Sequence, residues 1–252
     1  MKLKMLLALV GSVLMSACSG ISSDDSKTEN LTAQFRAISD GTNITFEAQF
    51  YASSNGGVAI ILEDGDTPKV HFNQNSISLV DLTQQGLYTN EIGISSHLEA
   101  ENFRFALERS NEIGAPNSNI YFPKPFEIAS TQTTQDIFYT DPISITWDGD
   151  SATDTQFNIL RIYECLDDED SAFLYHQEDS FDDIVGRADI DDSGLLIAEN
   201  LVSCTVTIEL GRIVSSGVDD RFKGGTSMGI QKRTLNISMV FVEPDPDPEP
   251  EA

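Results

Sequence analysis

The stretch NITFEAQFY (Asn43–Tyr51) sets Ile44, Phe46, Ala48 and Phe50 on one side of an extended chain and Thr45, Glu47 and Gln49 on the other. An apolar residue at every second position is the period of a strand with one buried face. It conflicts with a helix, whose apolar stripe repeats every 3.6 residues. The alternation recurs in KVHF (Val70, Phe72), NFRFALE (Phe103, Phe105, Leu107), ISITW (Ile143, Ile145, Trp147) and TLNISMVFV (Leu235, Ile237, Met239, Phe241). Turn formers such as EDGDTP, WDGDSATD and DDSG part these segments, and no strand–helix–strand rhythm links them. Many short strands parted by turns predict an all-β chain built of antiparallel sandwiches. One competing signal is SHLE (Ser96–Glu99), which spells a capping box that could open a helix running to Leu107. The spacing of Phe103, Phe105 and Leu107 instead predicts a strand there, with room for a helical turn before it.

The two ends of the chain have a different composition. MKLKMLLALVGSVLMSACSG opens with Lys2 and Lys4, runs apolar from Met5 to Met15 and closes on small residues, the order of a secretory signal. The apolar run is about half the roughly 20 residues needed to cross a bilayer. Leu14-Met15-Ser16-Ala17-Cys18 resembles a bacterial lipobox, with Met15 where Leu is usual. The resemblance implies cleavage after residue 17, a thioether lipid on Cys18 and acylation of its new amine; the alternative is an ordinary signal with an incidental cysteine. Ser19 stands where an Asp would resemble an inner-membrane retention signal, so the outer membrane is the expected address. Ser19–Asn30, polar with one apolar residue, reads as a flexible tether reaching at most ~40 Å. EPDPDPEPEA alternates acid with proline and suits an extended, solvated tail over residues 243–252.

Charge narrows the partners. The chain carries 15 basic against 41 acidic residues, and loss of residues 1–17 takes two lysines and no acid, moving the net charge from −26 to −28. Such a surface repels phosphate backbones, which excludes nucleic acid. It also repels anionic headgroups, so membrane attachment falls to acyl chains, of which more than one is needed for stable anchoring. Of three cysteines, a lipidated Cys18 leaves Cys165 and Cys204 to pair in an oxidising compartment. Their bridge closes a loop of 39 residues. In LVSCTVTIEL the alternation puts Val202, Cys204, Val206, Ile208 and Leu210 on one face, which places Cys204 in a core.

Pro123 and Pro125 in YFPKPFEI break strand pairing and mark a boundary near residue 124. The expected layout is a signal peptide over 1–17, a lipidated cysteine and tether over 18–30, a β-rich domain over 31–124, a second β-sandwich over 125–242 and the tail. DPISITWDGDSATDTQFNILRIYEC, with Trp147 ending one strand and Phe157, Ile159 and Tyr163 alternating along the next, resembles the second and third strands of a fibronectin type III or immunoglobulin-like module. DDSGLLIAENLVSCTVTIELGRI is similar to the later part of such modules. Trp147 precedes both cysteines, so the Cys…Trp…Cys order of antibody domains is absent. With the lipobox and acidic tail, the whole chain resembles surface lipoproteins of Gram-negative bacteria.

Little in the sequence points to catalysis. Gly225-Thr226-Ser227-Met228-Gly229 spells G-x-S-x-G, yet no histidine follows His176, so Ser227 lacks the downstream base of a nucleophile elbow. It also resembles the serine motif of subtilisin-like proteases, whose partner motifs are missing around Asp66, Thr67 and His71. The glycines of Gly224–Gly229 read more simply as a turn between two strands. ADIDDSGLLIAEN places Asp189, Asp191, Ser193 and Leu195 at positions 1, 3, 5 and 7 of a calcium loop with Gly194 at 6, but position 12 is Asn200 rather than Glu. A hairpin turn is the simpler reading and weak Ca²⁺ binding the alternative; no other cofactor is expected. Two function classes follow: a non-catalytic envelope lipoprotein that binds a protein or glycan, and a small envelope hydrolase acting through carboxylates.

Overall fold

The structure is a computed structural model that describes residues 21–52, 57–63, 65–93, 102–130, 143–150, 155–169, 171–181, 183–190 and 201–240. Its elements are strands and three-residue 3-10 turns, so the chain is all-β as the alternation predicts. Seven strands form one sheet in the order β13 (Ala172–Phe181), β12 (Thr155–Asp167), β15 (Leu201–Ser216), β16 (Gly224–Val240), β2 (Thr32–Ser39), β3 (Asn43–Tyr51) and β7 (Leu87–Gly93). Against its β2–β3 end packs a four-stranded sheet of β6 (Asn75–Ser78), β5 (Thr67–Phe72), β8 (Phe103–Glu108) and β9 (Ala115–Ile120). Against its β12–β15 end packs a three-stranded sheet of β10 (Ile128–Ser130), β11 (Ile143–Trp147) and β14 (Arg187–Ile190).

Two cores result. The first holds Ala33, Phe35 and Ala37 of β2 and Ile44, Phe46, Ala48 and Phe50 of β3, the residues that alternation assigns to one face. Phe103 and Phe105 of β8 meet them, with ring centroids 5.1 Å apart for Phe46–Phe103 and 4.8 Å for Phe35–Phe105. The second holds Ile143, Ile145 and Trp147 of β11 against Phe157, Ile159 and Tyr163 of β12 and Val206, Ile208 and Leu210 of β15. Trp147 stacks on Phe157 at 4.4 Å and 17°. Each buried Val, Leu, Ile or Phe among them contributes about 1.5–3 kcal/mol of transfer free energy.

The halves share a strand. β16 pairs antiparallel with β15 along most of its 17 residues, and its first eight, Gly224–Gln231, also pair parallel with Thr32–Ser39 of β2. Just before β16, Phe222 enters the first core, 5.9 Å from Phe35 and 6.1 Å from Phe50. Residues far beyond Pro125 therefore complete the core of the amino-terminal half, and one pair in an otherwise antiparallel sheet is parallel.

Three local expectations change. Residues 21–30 are not a free tether: β1 (Ile21–Ser22) pairs with β4 (Ile60–Ile61), and Ser23 and Thr28 are buried. The cause is Arg109, whose guanidinium donates to the carbonyls of Ser23 (2.6 Å) and Ser26 (2.7 Å) while its Nε bonds Asp66 at 2.9 Å. Gly224–Gly229 is not a turn but the start of β16. A Cβ on Gly225 would lie 1.9 Å from Ala33 O and one on Gly229 2.1 Å from Tyr121 O, so both glycines serve close backbone approach rather than chain reversal. Val202 leaves the core face at 45% exposure and Leu201 takes its place, because a bulge opposite Leu166/Asp167 shifts the register by one residue. β8 forms the strand that its phenylalanines predict, while SHLE lies outside the described residues.

Candidate binding site at the open sheet edge

β13 is the outermost strand of the seven-stranded sheet. It pairs with β12 from Phe157↔Phe181 to Leu166↔Ala172, and among the described residues no strand lies on its other side. Its amino-terminal half exposes Phe173 (38%) and Leu174 (61%), beside Leu166 (42%) of β12. The bulge that turns Val202 outward adds a fourth exposed apolar side chain at the same end of the sheet. A groove of about 440 Å³ there is lined by Glu164, Leu166, Phe173, Leu174 and Thr205. The carboxy-terminal half of β13 is acidic and tied inward: Arg161 pairs with Asp179, and Asn158 Nδ2 donates to Glu178 at 3.4 Å. An edge with free backbone groups and apolar side chains can accept an added strand from another chain.

The disulfide expected between Cys165 and Cys204 is present. The two face each other across β12 and β15 with Cα atoms 4.0 Å apart, at 1% and 3% exposure. The bridge ties together the two strands next to the open edge. Cys18 and the residues before it lie outside the described residues, as do Asp191, Ser193 and Leu195. Asp189 is exposed on β14, and both of its oxygens are taken by Arg187 Nη2 at 2.9 Å, with Ser144 Oγ donating to Oδ1. The Ser144 hydroxyl and then Arg187 hold its carboxyl below the usual range.

Ser227 sits on the inner face of β16, fully buried, its Oγ donating to Gly217 O at 3.3 Å and its backbone paired to Phe35. A hydroxyl sealed between two strands of a sheet has no approach for a substrate.

A buried polar network in the second core carries no motif in the sequence. Arg212, fully buried on β15, donates Nε to Asp183 Oδ2 at 2.7 Å and Nη2 to Oδ1 at 2.8 Å. Nη1 also donates to the carbonyl of Lys124 (2.7 Å) and Nη2 to that of Asp148, and the guanidinium lies 4.7 Å from the Phe126 ring centre. Trp147 Nε1 donates to Asp183 Oδ1 at 3.0 Å. Alternation carried two residues past Leu210 puts Arg212 on the core face, and that was the available signal.

The fold and its edge define an all-β protein with two cores on one shared sheet. No protein-family model matches the chain, and no curated protein matches it. Among solved structures the chain is similar to the FN1–FN3 domains of chicken CNTN1, at 11% identity and a TM-score of 0.30 over 82% of this chain and 63% of that one. It is also similar to the adhesin InvE of Yersinia pseudotuberculosis, at 11% identity and a TM-score of 0.23 over 84% of this chain and 60% of that one. The chain thus spans about three fifths of each.

Proposed function

We propose that this protein is a lipid-anchored, non-catalytic binding protein of the outer membrane, held through Cys18 and offering the β13 edge to an extended segment of a protein partner. The observation that carries the reading is the exposure of Phe173 and Leu174 on a strand that no second strand flanks among the described residues. A strand that presents large apolar groups beside free amide and carbonyl groups suits main-chain pairing, with side-chain pockets supplying selectivity. The sealed position of Ser227 supports a binding role over hydrolysis through that serine. A photo-crosslinking residue at position 174, introduced into the full-length protein in cells, is expected to yield a protein adduct. Leu174→Pro, which removes an edge N–H, is expected to abolish binding of that captured partner while the melting temperature stays within a few degrees. Adducts formed equally at exposed Val185, away from the edge, would overturn the reading. Anchoring is tested separately: Cys18→Ser is expected to release the protein from the membrane fraction and remove the acyl mass.

A further inference from the structure

On the outer face of the four-stranded sheet, a groove of about 430 Å³ runs among His71 of β5, Arg104, Ala106 and Glu108 of β8, Pro116 of β9 and Arg221 of the β15–β16 loop. It is cationic on a protein of net charge −26. Most described cations are consumed by carboxylates: Lys69 by Glu108, Arg109 by Asp66, Arg212 by Asp183, Lys232 by Glu209. Arg104 and Arg221 are different. Arg104 Nη1 donates to Pro116 O and Asn117 Oδ1, each at 3.3 Å, and Arg221 Nη1 to Gly114 O at 2.9 Å; neither has a carboxylate within 4 Å among the described residues. Pro116 lies in β9 and Gly114 immediately precedes that strand, so both arginines are held by one short segment and line the same groove.

The arrangement is held from below. Asp219 accepts from Asn117 N at 2.8 Å and Arg221 N at 3.0 Å, and its own N–H donates to Ser118 Oγ at 2.9 Å. That pins the Arg221 loop onto β9 without a side-chain ion pair to Arg221. His71 lies directly across from Arg104 in the β5–β8 register. Beside the cations stand a carboxylate, Glu108, able to accept from hydroxyls, and the apolar Ala106 and Pro116. Two forked cations, a hydroxyl acceptor and small apolar surface in a space of this size match an acidic sugar unit: guanidinium for the oxyanion, polar groups for hydroxyls, apolar groups for the C–H face.

We propose that this groove binds an anionic sugar unit, with its carboxylate or sulfate held between Arg104 and Arg221. The site lies on a different sheet from the β13 edge and stands without the reading of that edge.

The test is calorimetric titration of the full-length protein in neutral detergent with a galacturonate oligomer, a sulfated oligosaccharide, an uncharged oligosaccharide of equal length and inorganic sulfate. At least one acidic oligomer is expected to bind and the uncharged one to be silent; which acidic oligomer binds tells carboxylate from sulfate. Arg104→Gln with Arg221→Gln is expected to weaken binding at least tenfold, while Lys223→Gln, a nearby exposed cation outside the groove, leaves it unchanged. Unchanged melting of the double variant shows that the loss is local. No binding of either acidic oligomer, equal binding of inorganic sulfate, or an equal loss in Lys223→Gln would each overturn the proposal.

Discussion

Arg212 and Asp183 form a two-point ion pair in the second core, at 0% and 4% side-chain exposure, with two backbone carbonyls and an aromatic ring also against the guanidinium. Asp183 also accepts the indole N–H of Trp147, so one carboxylate joins the three-stranded sheet to the seven-stranded one. Removing one partner leaves a buried charge, which costs about 3–5 kcal/mol. Asp183→Ala is expected to lose that much in urea unfolding. Replacing both partners with apolar residues recovers only part of it, because the carbonyls of Lys124 and Asp148 would lose their donor, while the Trp147 N–H keeps the backbone carbonyl of residue 183 at 3.2 Å.

The glycines of β16 make a sharp comparison. Gly225→Ala meets Ala33 O and also holds φ at +139°, and Gly229→Ala meets Tyr121 O, while Gly224 has nothing within 4 Å of its added Cβ. Each of the first two is expected to destabilise by about 2 kcal/mol or more, and Gly224→Ala by less than about 0.5 kcal/mol. Chemical denaturation midpoints of the three variants decide it.

Reduction of Cys165–Cys204 is expected to lower stability by about 4 kcal/mol in the chain-entropy account of a 39-residue loop. Alkylation should find both thiols blocked in the unfolded, unreduced protein and free after reductant.

His71 has its pKa held below the ordinary 6.5, first by burial and then by Arg104; Lys69 acts in the same direction and Glu108 against it. The unfolded chain therefore takes up this proton before the folded one does. The sign is fixed: stability present above about pH 6.5 erodes as pH falls. His71→Gln should flatten that part of the slope between about pH 7.5 and pH 5, read from urea unfolding at each pH. A bound oxyanion reverses the effect on the ring, so affinity for the acidic oligomer should rise over the same fall in pH.

Ser227→Ala removes one 3.3 Å hydrogen bond and is expected to cost about 1 kcal/mol or less. A serine-directed covalent probe should leave the wild-type protein unlabelled.

Asn43–Tyr51 was fully legible because its period is strict and nothing interrupts it: the strand and its buried face both match. LVSCTVTIEL was legible from Cys204 onward and misleading at Val202, since a bulge depends on the partner strand and leaves no mark in its own sequence. The glycines of β16 were read as chain reversal because the need for close approach lies in Ala33 and Tyr121, distant in sequence. Parallel pairing of β16 with β2 has no local signature at all. The exposed edge could not be read either, since Phe173 and Leu174 look like core residues until the sheet order leaves them outermost. The Arg104–Arg221 groove likewise joins residues 117 positions apart.

In the register of β16 with β2, Thr32 and its partner Gly224 stand 192 positions apart. A chain threaded through a narrow exit amino end first must therefore hold β2 with one flank bare, and the first core without Phe222, until residues 222–231 have emerged. Pairing over such a separation is slow to find, and a bare strand flank invites the wrong partner meanwhile. The amino-terminal half cannot finish folding while the rest of the chain is being delivered. Completion waits for β16, so a chain cut short before residue 222 leaves both β2 and β15 without their shared neighbour.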